Sequence, residues 1–203
     1  MRVKVKICGI RDLSGAHAAA RTGADAVGFV FAASPRRVAP AVARQIAADL
    51  PAAIEKVAVF RLCPVDDIRR VLDVFAADRV QVEPDLERLS AFGPRLLPVL
   101  HDDGSLEAQA AGLATDRPVL LEAAGRGGRG VKPDWKRAAA LARRRPIILA
   151  GGLDPGNAAA AIRIVRPWGI DVSSGVESAP GVKSPALIEA FVAATRRSIP
   201  EKS

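Results

Sequence analysis

Eight short runs of β-branched and aliphatic residues alternate with longer alanine-rich stretches of helical period, which predicts an α/β protein built as one (β/α)8 barrel over residues 1–203. Eight strand–helix units in a chain of this length sit at the lower end of barrel sizes. The first run is not followed by the G-x-G-x-x-G turn of an open dinucleotide-binding sheet, the competing arrangement, and the glycine pairs come late instead. No linker or low-complexity tract marks a second domain.

The strands are expected at residues 3–8, 26–31, 56–60, 79–82, 96–100, 119–122, 147–150 and 169–173. Between them, Val65, Ile68, Leu72 and Phe75 show the spacing of one buried helix face. Asp12, Ser105 and Asp154 stand where helices would begin, and Pro40, Pro64, Pro133, Pro155 and Pro185 lie near first turns, where a missing amide costs little. Gly23, Gly93 and Gly112 follow helical segments and suit the left-handed residue that ends a helix. Residues 198–203 read as a tail.

Composition narrows the function classes. A net charge of +8 invites a nucleic-acid partner, but aromatic residues make up 4% with no tyrosine, and arginine is scattered along helices, so stacking platforms and a basic arm are both missing. No apolar run is long enough to span a bilayer and the start lacks a signal-peptide core, so a cytoplasmic protein without nucleic-acid or membrane partners is expected. Cys8 and Cys63 are too few for a disulfide framework or a zinc site, and no metal is expected. Monomer and homodimer both fit the sequence.

In a parallel barrel the chemistry sits at the C-terminal strand ends. Cys8 ends the first strand beside Gly9 and reads either as a small buried hydrophobe or as a base whose thiol is acidified by nearby positive charge. Cys63, before Pro64, reads as inert. Glu122, after Val119-Leu120-Leu121, is either an acid–base group at the mouth or the strand's exit into solvent, and Glu83 at the fourth strand has the same ambiguity. Arg36, in a loop restricted by Pro35, offers a planar fork of donors to a carboxylate or phosphate. Gly151-Gly152 after the seventh strand and Ser173-Ser174-Gly175 after the eighth permit close approach of amides to a phosphate, so a phosphorylated small molecule is the expected ligand. The glycine-rich stretch 125–130 reads as a lid or a plain loop.

These positions resemble the phosphoribosylanthranilate isomerase family along nearly the whole chain. The matching strings are KICGI at 6–10, GFVF at 28–31 with SPR at 34–36, VAVF at 57–60, GGRG at 127–130 with DW at 134–135, LAGGLDPGN at 149–157, DVSSGVE at 171–177 and PGVK at 180–183. The resemblance implies an aldose–ketose (Amadori) isomerisation in tryptophan biosynthesis, without metal or organic cofactor. It implies Cys8 as general base, Glu122 at the place of the family's acidic aspartate, Arg36 on the anthranilate carboxylate, and amides of Gly151, Gly152, Ser174 and Gly175 on the sugar phosphate. The chain departs from the family pattern at Glu122, at Gln81-Val82-Glu83-Pro84 where Gln-Leu-His-Gly is usual, at Arg129 and at Ser184. Those departures also fit a divergent paralogue that isomerises or binds another phosphosugar.

Overall fold

Strands rich in valine and isoleucine leave their amides and carbonyls unpaired unless they lie side by side, and a parallel set with helical crossovers removes its edges by closing on itself. The computed structural model, which describes residues 2–124 and 132–197, closes in this way. The elements run β1 (Lys4–Cys8), α1 (Leu13–Arg21), β2 (Ala26–Val30), α2 (Pro40–Ala48), β3 (Glu55–Val59), α3 (Val65–Leu72), β4 (Arg79–Val82) and α4 (Leu86–Phe92). They continue with β5 (Leu96–Asp102), α5 (Leu106–Ala110), β6 (Val119–Ala123), α6 (Trp135–Ala142), β7 (Ile147–Leu149), α7 (Ala158–Val165), β8 (Gly169–Val172) and α8 (Pro185–Arg197). All eight strands pair in parallel with their sequence neighbours, and β1 closes the ring on β8 through Lys4↔Gly169 to Ile7↔Val172. After β8, a hairpin of β9 (Glu177–Ala179) and β10 (Val182–Lys183) leads into α8.

The two-residue period of a strand sorts side chains between two cores. Val5 and Ile7 of β1, Leu96 and Leu100 of β5, and Val119 and Leu121 of β6 face the helical layer. The alternate positions face the lumen, where Ala26, Val57, Leu97, Val99, Leu120, Ile148 and Ala150 make a small apolar cluster. Continuing that alternation along the strands brings Cys8, His101 and Glu122 to the open end of the barrel.

Local signals mostly act as their chemistry predicts. Asp12 caps α1 by accepting from the Gly15 amide at 2.8 Å, Pro40 opens α2, and Gly23, Gly93 and Gly112 take positive φ after helical segments. Two expected starts differ. Ser105 precedes α5 but its hydroxyl donates to Asp103 at 2.6 Å instead of capping the helix. Asp154 closes a turn by accepting from the amides of Gly156 and Asn157, and α7 begins only after Asn157. Strand ends shift by one or two residues, the largest change being β5, which runs to Asp102.

Phe75 lies one turn past α3 with its amide bonded to the Val71 carbonyl, fully buried between Phe29 and Phe31 at ring-centroid distances of 5.1 and 5.5 Å. Truncating such a side chain removes its transfer free energy and leaves a void. Phe75→Ala is therefore expected to cost about 3–5 kcal/mol of unfolding free energy, read from urea denaturation midpoints.

Candidate functional site

The open end of the barrel holds a cavity of about 1120 Å3 whose wall includes Cys8, Arg36, Glu122, Gly151, Gly152 and Ser174. Six of the seven expected site residues thus meet in one space. Gly175 is not part of that wall. A Cβ at Gly175 would fall 1.9 Å from the Leu153 carbonyl oxygen, so its lack of a side chain is demanded by the close crossing of the β7 and β8 loops, not by a ligand alone. Gly151 and Gly152 adopt φ of 89° and 61°, the left-handed region. Among the described residues, the amides of Gly152, Ser174 and Gly175 donate to no protein acceptor, which leaves them available to an anion.

Cys8 is buried at the end of β1, two residues above Lys6 on the lumen side. A Cβ on neighbouring Gly28 would touch both the Cys8 sulfur at 2.9 Å and the Lys6 Nζ at 3.1 Å, so only glycine lets these groups share the space. Lys6 is itself buried and donates to Asp171 Oδ1 on β8 at 2.9 Å. Burial works against the ammonium, but Asp171 and Cys8 outweigh it and hold the Lys6 pKa above its ordinary value. For Cys8 the balance runs the other way. The expectation of a thiol acidified by an arginine-lined pocket is corrected: burial pushes the thiol up, and the cations opposing it are Lys6 and Lys183. Cys63 is half-buried in the loop before α3, with its thiol also raised by burial.

Arg36 reaches the cavity from the β2 loop, but its fork is already engaged. Its Nε and Nη2 donate to the two carboxylate oxygens of Glu177 at 2.8 Å each. Glu177 also accepts from Lys183 Nζ at 2.7 Å and from the Gly181 amide at 3.2 Å. Burial acts against the Glu177 carboxylate, yet Arg36 and Lys183 overcome it and hold its pKa below the usual carboxylate range. Nη1 of Arg36 remains free of protein acceptors among the described residues, so the guanidinium keeps one donor pair in a fixed plane.

Glu122 lies on the lumen side of β6, and its carboxyl makes no hydrogen bond to the protein among the described residues. Burial raises its pKa, Asp171 and Glu83 add to the rise, and His101 and Lys6 oppose it. Glu83 also lines the cavity and pairs with His101. The glycine-rich stretch 125–130, with Arg126 and Arg129, lies outside the described residues, as does the 198–203 tail. No group of three or more His, Cys, Asp or Glu that could hold a metal ion occurs among the described residues.

Five residues of this site escaped the sequence reading: Lys6, His101, Asp171, Glu177 and Lys183. Lys6 was legible in principle, because it shares the strand period with Cys8 and a lysine between Val5 and Ile7 must point into the lumen.

A sequence model of the N-(5'-phosphoribosyl)anthranilate isomerase family matches residues 5–194. The chain belongs to the phosphoribosylanthranilate isomerase family. Within that family, the N-(5'-phosphoribosyl)anthranilate isomerase of Roseiflexus sp. (strain RS-1) is 43% identical over 96% of this chain and 98% of its own length. The phosphoribosyl anthranilate isomerase of Thermus thermophilus superposes with a TM-score of 0.87 at 34% identity, covering 96% of this chain and 99% of that one. Another family member, solved in complex with reduced 1-(o-carboxyphenylamino)-1-deoxyribulose 5-phosphate, superposes with a TM-score of 0.83 at 34% identity, covering 96% and 99%.

The Arg36–Glu177–Lys183 group carries a stability test. A carboxyl whose folded pKa is lowered stabilises the fold above its unfolded pKa of about 4.3, and that contribution is lost as pH falls through the folded value. Glu177→Gln leaves two buried cations without their shared anion and is expected to cost about 3 kcal/mol at neutral pH. Denaturation midpoints of variant and wild type should converge as the pH is lowered below about 4.

Proposed function

We propose that this chain is an N-(5'-phosphoribosyl)anthranilate isomerase of tryptophan biosynthesis, with Cys8 as general base and Glu122 as general acid. The observation that carries the assignment of roles is the meeting, in one cavity, of a buried thiol beside Lys6 and a half-buried carboxyl, next to amides free to take a phosphate. Membership of the family supplies the reaction, an Amadori rearrangement of a phosphorylated aminoaldose to an aminoketose.

The chemistry follows from the two groups. Glu122 gives its proton to the ribose ring oxygen as the C1–O bond breaks, which opens the ring and leaves an iminium between C1 and the anthranilate nitrogen. Burial keeps the carboxyl protonated to higher pH than an exposed glutamate, as a proton donor requires. The Cys8 thiolate then removes the C2 proton, the electron pair moves into the C1–C2 bond, and the iminium is neutralised to an enolamine. Loss of the C2 hydroxyl proton and protonation at C1 complete the ketone. A thiol raised by burial is a strong base once ionised, and the neighbouring Lys6 and Lys183 ammonium groups stabilise its anion. The free face of Arg36 takes the anthranilate carboxylate, and the Gly152 and Ser174-Gly175 amides take the 5'-phosphate.

Glutamate carries the carboxyl one methylene further than the family's aspartate. The longer side chain starts from the same strand end, and Glu122 is not tied to any partner that would hold it away from the cavity.

The test is a steady-state assay with freshly generated phosphoribosylanthranilate, following loss of its anthranilate fluorescence. Cys8→Ser and Glu122→Ala should each lower kcat by about 10²–10⁴-fold, with Glu122→Asp retaining turnover. A wild type that binds the reduced product analogue without turning substrate over would replace this assignment with a divergent paralogue or a phosphosugar-binding protein.

A further inference from the structure

A glutamate, a histidine and a second glutamate stand at the ends of three adjacent strands. Glu83 follows β4, His101 lies in β5 and Glu122 in β6, and His101 and Glu122 are direct partners in the β5–β6 register. Strand period places His101 in line with Leu97 and Val99, facing the lumen, and all three charged groups line the cavity. The His101 Nε2 is 3.6 Å from Glu83 Oε1. The backbone that carries the ring is held by Gln109, which accepts from the His101 amide at 2.7 Å and donates to its carbonyl at 2.8 Å. The other heteroatoms of the pair, His101 Nδ1 and Glu83 Oε2, are buried without hydrogen-bond partners, as is Gln81 Oε1. Unpartnered buried polar atoms cost stability, so the fold gains little from this cluster as it stands.

We propose that His101, held in place by Glu83, is a positioning residue for the acid step: its ring steadies the Glu122 carboxylate that remains when the proton leaves for the ring oxygen. The inference deepens the isomerase assignment and rests on it, because it needs Glu122 as proton donor. When the O–H bond of Glu122 breaks, a negative charge appears on the cavity wall, and an imidazolium on the adjacent strand compensates it. The nearby Glu83 carboxylate favours the protonated ring, burial opposes it, and the Glu122 charge supports it again. Without His101, only Lys6 would counter Glu83 and Asp171, which both disfavour ionisation of Glu122. The other charged groups around the cluster are Arg61 after β3, which acts on Glu83, Asp103 after β5, and Lys6 and Asp171 across the lumen. Among these, the His101 ring is the cation that acts most strongly on Glu122.

Titration and kinetics of the full chain test this together. The sequence has two histidines, His17 and His101, so NMR ring signals can be assigned with a His17→Gln variant. Glu83→Gln should lower the His101 midpoint by about one pH unit. His101→Gln should raise the midpoint of the Glu122 carboxyl, followed by ¹³C NMR and assigned with Glu122→Gln, by a similar amount, with a roughly tenfold fall in kcat. Unmoved midpoints, or a His101→Gln enzyme with wild-type kcat beside an inactive Glu122→Ala, would overturn this inference and leave the isomerase assignment standing. Absence of turnover in the wild type would remove the assignment, and this inference with it.

Discussion

A strand in a closed barrel turns every second side chain into a lumen that has no other exit than its two ends. The lower lumen is filled by apolar side chains such as Leu97, Val99, Leu120 and Ile148, so any polar group on the same strands is confined to what remains. Lys6, Cys8, Asp171, His101 and Glu122 occupy that remaining space, on β1, β8, β5 and β6. The same constraint that makes the barrel stable therefore gathers its reactive groups. It also withdraws Cys8 and Glu122 from water, which pushes both toward their neutral forms.

Burial of charge is tolerated here through pairing. Lys6 is matched by Asp171 from the strand that closes the ring, and Arg36 and Lys183 share Glu177. Two of these pairs join elements far apart in sequence, 165 residues for Lys6 and Asp171 and 141 for Arg36 and Glu177, so charge matching also locks β1 to β8 and the β2 loop to the hairpin after β8. Backbone contact does similar work between β7 and β8, where Gly175 lies against the Leu153 carbonyl too closely for any Cβ. Together these contacts fix one side of the mouth, the side that presents Gly152 and Ser174. A rigid anion cradle needs such fixing, since amides that move apart lose their shared field at the phosphate.

Much of this was legible in the sequence because the signals were local. Strand and helix alternate by period, and capping residues such as Asp12 and stop glycines such as Gly23 act over a few positions. The positions of Cys8 and Glu122 followed from the same rule, being the last lumen-facing residues of apolar runs. What escaped was set by partners distant in sequence. Arg36 looked like a free anion receptor, and only the folded chain brings Glu177 against its fork. One of the two readings of Cys8 made it an acidified thiol, because an arginine-containing phosphate pocket could be anticipated from the sequence whereas the depth of burial could not. His101 was passed over because β5 was expected to stop at residue 100, and a strand's end depends on whether its neighbour offers a pairing partner; Glu122 and Ala123 of β6 do.

The groups left outside the pairing scheme are the ones to which the proposed isomerisation assigns its proton transfers. Cys8 and Glu122 are both shifted by burial toward their neutral forms, so neither imposes an unmatched charge on the resting lumen. In the proposed reaction, charge appears at these sites only as protons move, next to groups already in place to receive it: Lys6 and Lys183 at the thiol, His101 at the carboxyl. In a medium of low dielectric, such preorganised partners act more strongly on the charge that develops than water would, and they need no reorganisation when it appears. A lumen that is nearly neutral at rest is thus also one that favours the charged intermediates of proton transfer, and both properties come from the same buried partners.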